Sequence, residues 1–189
     1  TIDWEEPWFR KYKVLRAALV AAAGKDDLVV GQAAIMPGND MLPLVIGSDR
    51  FLFALSDHPE WTRQSILQLA HNAFELQKYF RALAAATSAF PGGNCGWMPF
   101  WAPESYIAMQ SDISCMLSPE MFAEFILPDL DLAAQEFQNV WYHLDGQSAF
   151  QHLPRLLSLP YMKVIQFTPM AGTPPNGPEH LALYKKIQA

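Results

Sequence analysis

The stretch VWYHLDGQSAFQHLPRLLSLPYMKVIQFTP, residues 140–169, decides the fold class of this chain. Residues 140–145 and 163–168 are short apolar segments rich in β-forming side chains, and a glycine or a proline follows each. Between them, residues around 149–157 follow a helical pattern. A strand, a helix and a second strand of these lengths predict a βαβ unit with parallel strands.

The same alternation of strands and helices extends through the rest of the chain. Residues 28–36 and 106–117 contain two further strand candidates, and the first is apolar enough to be buried on both faces. Helices are predicted over residues 7–23, parts of 42–55 around a weak point at Gly47, 59–86, 119–137 with a kink at Pro128, and from 178 onward. The turn sequence Pro37–Asp40 is predicted to end the first strand. The pattern therefore predicts an α/β fold with a parallel sheet of four strands.

Polar or turn-forming residues follow each predicted strand at its C-terminal end. They are Asn39, Asp40, Asp112, Ser114, His143, Asp145 and Thr168. In parallel α/β folds this edge of the sheet is where ligands bind. Four strands are half of the eight in a closed barrel, so the sequence predicts half a barrel with unpaired edges. We therefore expect a fragment, or a chain that pairs with another copy or with the missing half of the barrel.

Composition excludes several classes of protein. The chain has 189 residues, of which 51% are hydrophobic and 17% are charged, which predicts one folded domain. A net charge of −6 argues against nucleic-acid binding, and the longest apolar run, Ala17–Ala23, falls short of the ~20 residues of a membrane span. The two cysteines form no disulfide framework and no signal peptide opens the chain, which predicts the cytoplasm.

His143 and Asp145 are the strongest candidates for a functional site. Two residues apart on a strand, they lie on the same face, where an imidazole and a carboxylate can hold a metal or act as an acid/base pair. A catalytic zinc usually takes three ligands from the protein, and the third could be Cys115, Asp112 or a residue outside this chain. The alternative is a histidine held in place by a neighbouring carboxylate. Asp112 itself is either an acid, base or ligand, or a carboxylate that bonds the next turn.

Aromatic side chains are the candidates for lining a substrate pocket. They are Trp97, Phe100, Trp101 and Tyr106, and the alternative for each is a place in the core. The Gly-rich segment 92–96 lacks the lysine and hydroxyl residue of a phosphate-binding P-loop, and no Gly-x-Ser-x-Gly motif of serine hydrolases is present.

Three pieces of the sequence resemble the uroporphyrinogen decarboxylase superfamily, which includes cobalamin-linked methyltransferases. They are QSDISCMLSPEMFAEFILP at 110–128, YHLDG at 142–146 and VIQFTP at 164–169, and residues 49–60 resemble the segment before a long helix of the family. The resemblance covers roughly residues 28–188. It implies a TIM (β/α)8 barrel, of which residues 1–189 would be a single partial domain. This domain would contain about the fourth to the seventh strands of the barrel and would lack the N-terminal strands and the last strand.

The resemblance implies two activities, both on a small-molecule substrate. One is methyl transfer through an activated thiolate with zinc and a corrinoid protein as partner, and the other is decarboxylation of a porphyrinogen by a lyase. We favour the methyltransferase-like branch because of His143 and Asp145, with Asp112 as a further catalytic candidate. The methyltransferases carry a cysteine where this chain has Asp145, so a zinc site would have altered ligands. The alternative class is a non-catalytic binding or accessory protein. Such a chain would form a homo-oligomer or pair with the missing half of the barrel.

Overall fold

A parallel sheet of three strands in the order β3–β4–β5 organises the C-terminal half of the chain. The strands are β3 (Tyr106–Gln110), β4 (Asn139–Asp145) and β5 (Met162–Thr168). The structure is a computed structural model that describes residues 2–23, 28, 30–31, 35–85, 94–95 and 101–188. The α/β class and the parallel pairing are confirmed, and within these residues the sheet is not closed into a barrel. Of the predicted strand at 28–36, residues 29 and 32–34 lie outside the described residues, and residues 28, 30–31 and 35–36, which are described, are not in a strand.

The chain divides into two compact units. One comprises residues 1–35 and 71–106, and the other comprises residues 36–70 and 107–189. The second unit contains the sheet, apart from the first residue of β3. All the geometry of the candidate site below lies within this second unit.

Two short helices open the second unit, α2 (Gly38–Ile46) and α3 (Ser48–Asp57). They meet at Gly47, the predicted weak point, whose φ of 93° is a left-handed conformation that glycine adopts without strain. The segment predicted as a turn at 37–40 is instead helical from Gly38, with Pro37 as the N-cap. Proline precedes a helix readily because its fixed φ suits the entry, and the turn prediction was wrong for that reason.

A 3₁₀ helix at Asp112–Met116 follows strand β3. After it comes a helical stretch of three parts, which are α5 (Pro119–Met121), a π-helical turn at Phe122–Ile126 and α6 (Leu127–Glu136). Ser118 caps its start, because the Ser118 hydroxyl accepts a hydrogen bond from the Met121 N–H at 3.2 Å. Pro128 has no main-chain N–H to donate to a carbonyl of the preceding turn. The wider π-helical turn lies just before this proline, at the position of the predicted kink.

The remaining helices of this unit connect or follow the strands. A 3₁₀ helix at Gln147–His152 and α7 (Leu153–Leu157) join β4 to β5, and α8 (Leu181–Gln188) follows a 3₁₀ turn at Pro178–His180. Both α6 and the 3₁₀ helix at Gln147–His152 pack against β4. The buried apolar side chains of the unit include Phe51, Ile66, Phe122, Phe125, Ile126, Leu130, Trp141 and Leu144. Trp141 and Leu144 of this core belong to β4, which carries two of the candidate site residues.

The first unit contains α1 (Pro7–Ala23), which has the predicted bounds, and residues from His71 onward of α4 (Pro59–Ala85). A cluster of aromatic rings in edge-on or tilted contact joins them, and its members are Trp4, Phe9, Tyr12, Tyr79 and Phe80. A short antiparallel pair, β1 (Asn94–Cys95) with β2 (Trp101–Ala102), completes the described part of this unit. None of the described helices combines the length and the apolarity that crossing a membrane requires.

Candidate metal centre

Asp112, His143 and Asp145 come together at the carboxyl ends of β3 and β4. One potential ligand atom from each of the three side chains lies within 4.8 Å of the others. Asp112 begins the 3₁₀ helix that follows β3, while His143 and Asp145 occupy alternate positions at the end of β4. Between them Leu144 is fully buried, so His143 and Asp145 share the opposite, more accessible face of the strand.

A glutamine on the neighbouring strand fixes the orientation of the His143 ring. Gln166 is the register partner of His143 in the pairing of β4 with β5, and its Oε1 contacts His143 Nδ1. The Gln166 Nε2 donates to the Phe167 carbonyl and to the Thr168 hydroxyl, both at 2.9 Å. A carbonyl only accepts, so the amide must present Oε1 to the ring, and Nδ1 must carry the proton. In the neutral imidazole, Nε2 is then the nitrogen with the lone pair that a cation needs.

Asp40 is hydrogen-bonded to the segment that carries Asp112, on the β3 side of the candidate site. Its Oδ1 accepts the main-chain N–H of Asp112 at 2.9 Å, and its Oδ2 accepts from the Gln110 amide Nε2 at 2.8 Å. The same amide nitrogen lies 3.5 Å from Asp112 Oδ1. Asp40 is only 5% exposed, whereas Asp112 and Asp145 are exposed. The site therefore has an accessible layer of two carboxylates and an imidazole, with a buried carboxylate behind it.

Burial, with a smaller contribution from neighbouring carboxylates, raises the pKa values of Asp40 and Asp112. Burial raises the pKa of Asp40 to about 6, with a further increase from the nearby charge of Asp112. Burial also raises the pKa of Asp112, the charge of Asp145 adds to this effect, and His143 opposes it. Carboxylates that repel one another in this way are stabilised by a cation placed between them.

A second buried carboxylate lies deeper in the same unit. Asp129, on α6, is fully buried, and its Oδ2 accepts hydrogen bonds from both the main-chain N–H and the side-chain amide of Asn39, at 3.0 and 2.9 Å. The same Asn39 amide donates to the Gln110 carbonyl at 3.1 Å. Asp129 therefore anchors the first turn of α2, from which Asp40 reaches the site.

Asp129 makes the stability of the protein depend on pH. Burial raises the pKa of Asp129 from an ordinary value of 3.8 to about 6. Between these values the folded protein keeps the proton and the unfolded chain releases it, so folding takes up a proton and acid favours the folded state. Relative to Asp129→Asn, the wild type should gain on the order of 2 kcal/mol in unfolding free energy as the pH falls from about 7 to about 4. Urea denaturation of both proteins across this range measures the difference, and parallel pH profiles would refute the prediction.

The remaining predicted site residues do not join the group. Cys115 is exposed and its Sγ lies 3.3 Å from the Asp112 carbonyl, and it is not a member of the metal-holding group. Trp97 and Phe100 lie outside the described residues. Trp101 is half exposed on β2, and Tyr106 is buried at the start of β3, in the core rather than on an accessible surface.

Sequence patterns missed Gln110 and Gln166, and noted Asp40 only as a polar residue after a predicted strand. Each glutamine is a polar residue near the C-terminal end of a strand that is mostly apolar. Gln166 also precedes Thr168 by two positions, the same spacing that singled out His143 and Asp145. An amide at such a position, next to a predicted imidazole or carboxylate, is the signal that would have found them.

Comparison of the chain with protein-family models, with curated proteins and with solved structures finds no match to any of them. The candidate site therefore has to be interpreted from its own geometry and chemistry.

Proposed function

We propose that this chain is part of a TIM-barrel enzyme of the uroporphyrinogen decarboxylase superfamily, in its methyltransferase-like branch, with a divalent cation held by Asp112, His143 and Asp145. The observation that carries the proposal is the meeting of these three side chains at the carboxyl ends of parallel strands, within 4.8 Å of one another. In parallel α/β enzymes this edge of the sheet is the usual place for the active site.

The donor set fits a divalent cation in charge and in ligand type. Two carboxylates and a neutral imidazole together carry the two negative charges that balance such a cation. Gln166 acts as the outer partner that a ligating histidine ordinarily has, because it accepts the proton of Nδ1, so that the lone pair of the ring is on Nε2. Three protein ligands leave room for a substrate atom, as in catalytic zinc sites.

The residues of the chain supply binding and orientation for the proposed reaction. When bound, the cation would favour the thiolate form of a substrate thiol. Gln166 keeps the imidazole in one tautomer, and Asp40 with Gln110 keeps Asp112 in place. Such a thiolate would take the methyl group from the cobalt of a corrinoid substrate, the cobalt would keep the electron pair of the broken Co–C bond, and the thiol proton would pass to solvent.

Metal analysis and a transfer assay test this proposal. We expect the purified chain to retain one zinc ion after dialysis and, once that ion is removed with EDTA, to bind added Zn²⁺ in calorimetry with one site. The zinc-loaded protein should accelerate the consumption of methylcobalamin by a simple thiol, followed by absorbance. Failure to bind Zn²⁺ would overturn the metal site, and zinc binding without acceleration would overturn the methyl-transfer assignment while leaving the site.

The placement of arginines argues against the decarboxylase branch for this chain. Uroporphyrinogen is a polycarboxylate, and its pocket needs several arginines, which bind carboxylates with two parallel hydrogen bonds. All six arginines lie on helices α1, α3, α4 and α7, and none follows a strand: Arg10, Arg16, Arg50, Arg63, Arg81 and Arg155. The net charge of −6 would also repel such a substrate.

We therefore expect uroporphyrin, the oxidised analogue of that substrate, to show no binding at micromolar concentration. Fluorescence titration of the porphyrin with the chain measures this directly. Saturable binding of uroporphyrin by the chain would place decarboxylation ahead of methyl transfer.

A further inference from the structure

The carboxylate of Asp40 accepts two hydrogen bonds that both lead to Asp112. At Oδ1 it accepts the main-chain N–H of Asp112, 2.9 Å away, and at Oδ2 it accepts from the Gln110 amide at 2.8 Å. The Gln110 amide nitrogen lies between the two carboxylates, 3.5 Å from Asp112 Oδ1. One buried side chain on α2 thus constrains both the backbone and the carboxylate of a residue on another element.

We propose that Asp40 is a positioning residue of the cation site, which holds Asp112 where its carboxylate can act as a ligand beside His143 and Asp145. This inference rests on the cation site of the proposed function. It adds a role for a residue that does not itself belong to the ligand group.

A carboxylate is needed at this position because two donors approach its two oxygens. Asparagine would keep one acceptor for the Asp112 N–H and would present its own NH₂ group to the Gln110 amide. Gln110 can accept a hydrogen bond from that NH₂ group only if its side-chain amide flips, so that Oε1 takes the position of Nε2. The turned amide would then present an oxygen to Asp112 Oδ1, which replaces attraction by repulsion and displaces the carboxylate from the site.

A reciprocal double substitution separates positioning from simple structural support. Asp40→Asn with Gln110→Glu keeps the total charge and restores the hydrogen bond between residues 40 and 110. The carboxylate introduced at position 110, however, faces Asp112 with an oxygen and cannot donate to it. The double variant should therefore regain stability without regaining affinity for the cation.

The control variant is Asp131→Asn on α6. Asp131 is an exposed carboxylate that accepts one hydrogen bond, from the Tyr161 hydroxyl at 2.6 Å. Tyr161 precedes β5, so this bond lies at the end of the sheet opposite to the candidate site. The control removes one negative charge, as Asp40→Asn does, without touching the site, and the carbonyl oxygen of the asparagine still accepts from the Tyr161 hydroxyl.

Zinc titration by calorimetry and thermal unfolding of the full chain test the inference. We expect Asp40→Asn to bind Zn²⁺ about 10- to 100-fold more weakly than the wild type, and Asp131→Asn to bind like the wild type. The double variant should unfold close to the wild-type temperature and still bind weakly, which keeps the test decisive if the single variant fails to fold. Wild-type affinity in Asp40→Asn, or recovery of both affinity and stability in the double variant, would overturn the positioning role alone. A wild type that binds no zinc would overturn the proposed function together with this inference.

Discussion

Replacement of His143 by alanine is expected to abolish zinc binding at micromolar concentration while the protein remains folded. His143 contributes the nitrogen ligand of the proposed site, and its loss leaves two carboxylates, fewer than the three protein ligands of a catalytic zinc. The side chain is half-buried near the end of a strand, so its truncation leaves no large internal cavity. We expect a loss of affinity well beyond 100-fold, larger than the loss for a residue that only supports a ligand.

Calorimetric titration with Zn²⁺ and circular dichroism of the same samples provide the measurement. His58→Ala is the matched control, since His58 is an exposed histidine at the C-terminal end of α3 in the same unit. Wild-type zinc affinity in His143→Ala would show that the ion binds elsewhere. Equal losses in both variants would indicate unspecific capture by exposed histidines.

Replacement of Gly38 by alanine is expected to destabilise the protein by about 3 kcal/mol or more, since the added carbon overpacks a close contact. A Cβ on Gly38 would lie 2.0 Å from the Ile66 carbonyl oxygen and 2.7 Å from the Ala70 main-chain nitrogen. Both are backbone atoms of α4, which cannot rotate away as a side chain does. The start of α2 would have to move, and it carries Asn39 and Asp40, so zinc affinity should fall as well.

Urea denaturation measures the loss, with Gly177→Ala as the control. A Cβ on Gly177 would approach the end of the flexible Glu179 side chain, at 2.7 Å, and that carboxylate can turn away. The control should therefore stay within about 0.5 kcal/mol of the wild type. Similar stabilities for Gly38→Ala and the wild type would mean that α2 does not pack on α4 as closely as the structure has it.

Local patterns in the sequence determined most of the elements of this protein. Apolar segments rich in β-forming side chains predicted β4 and β5, a helix was predicted from residue 119 onward, and Gly47 was predicted as a weak point between helical parts. Such features depend on the backbone preferences of a few neighbouring residues, and these preferences are legible in one sequence. The spacing of His143 and Asp145 placed them on one strand face for the same reason. The helical start at Gly38 departed from prediction, because turn residues and helix-entry residues are nearly the same.

Only the tertiary structure decided which residues complete the candidate site. The choice of Asp112 over Cys115 as the third member depends on the course of the 3₁₀ helix after β3, which residue types alone do not specify. Asp40 bonds Asp112 across 72 positions of sequence, and Gln166 reaches His143 across 23, through the register of two parallel strands. Strand order and register are set by packing of the whole unit, since each strand accepts several neighbours that satisfy its own hydrogen bonds equally well. For that physical reason the sequence determined the elements and the principal candidate ligands, and the three-dimensional packing determined the partners that orient them.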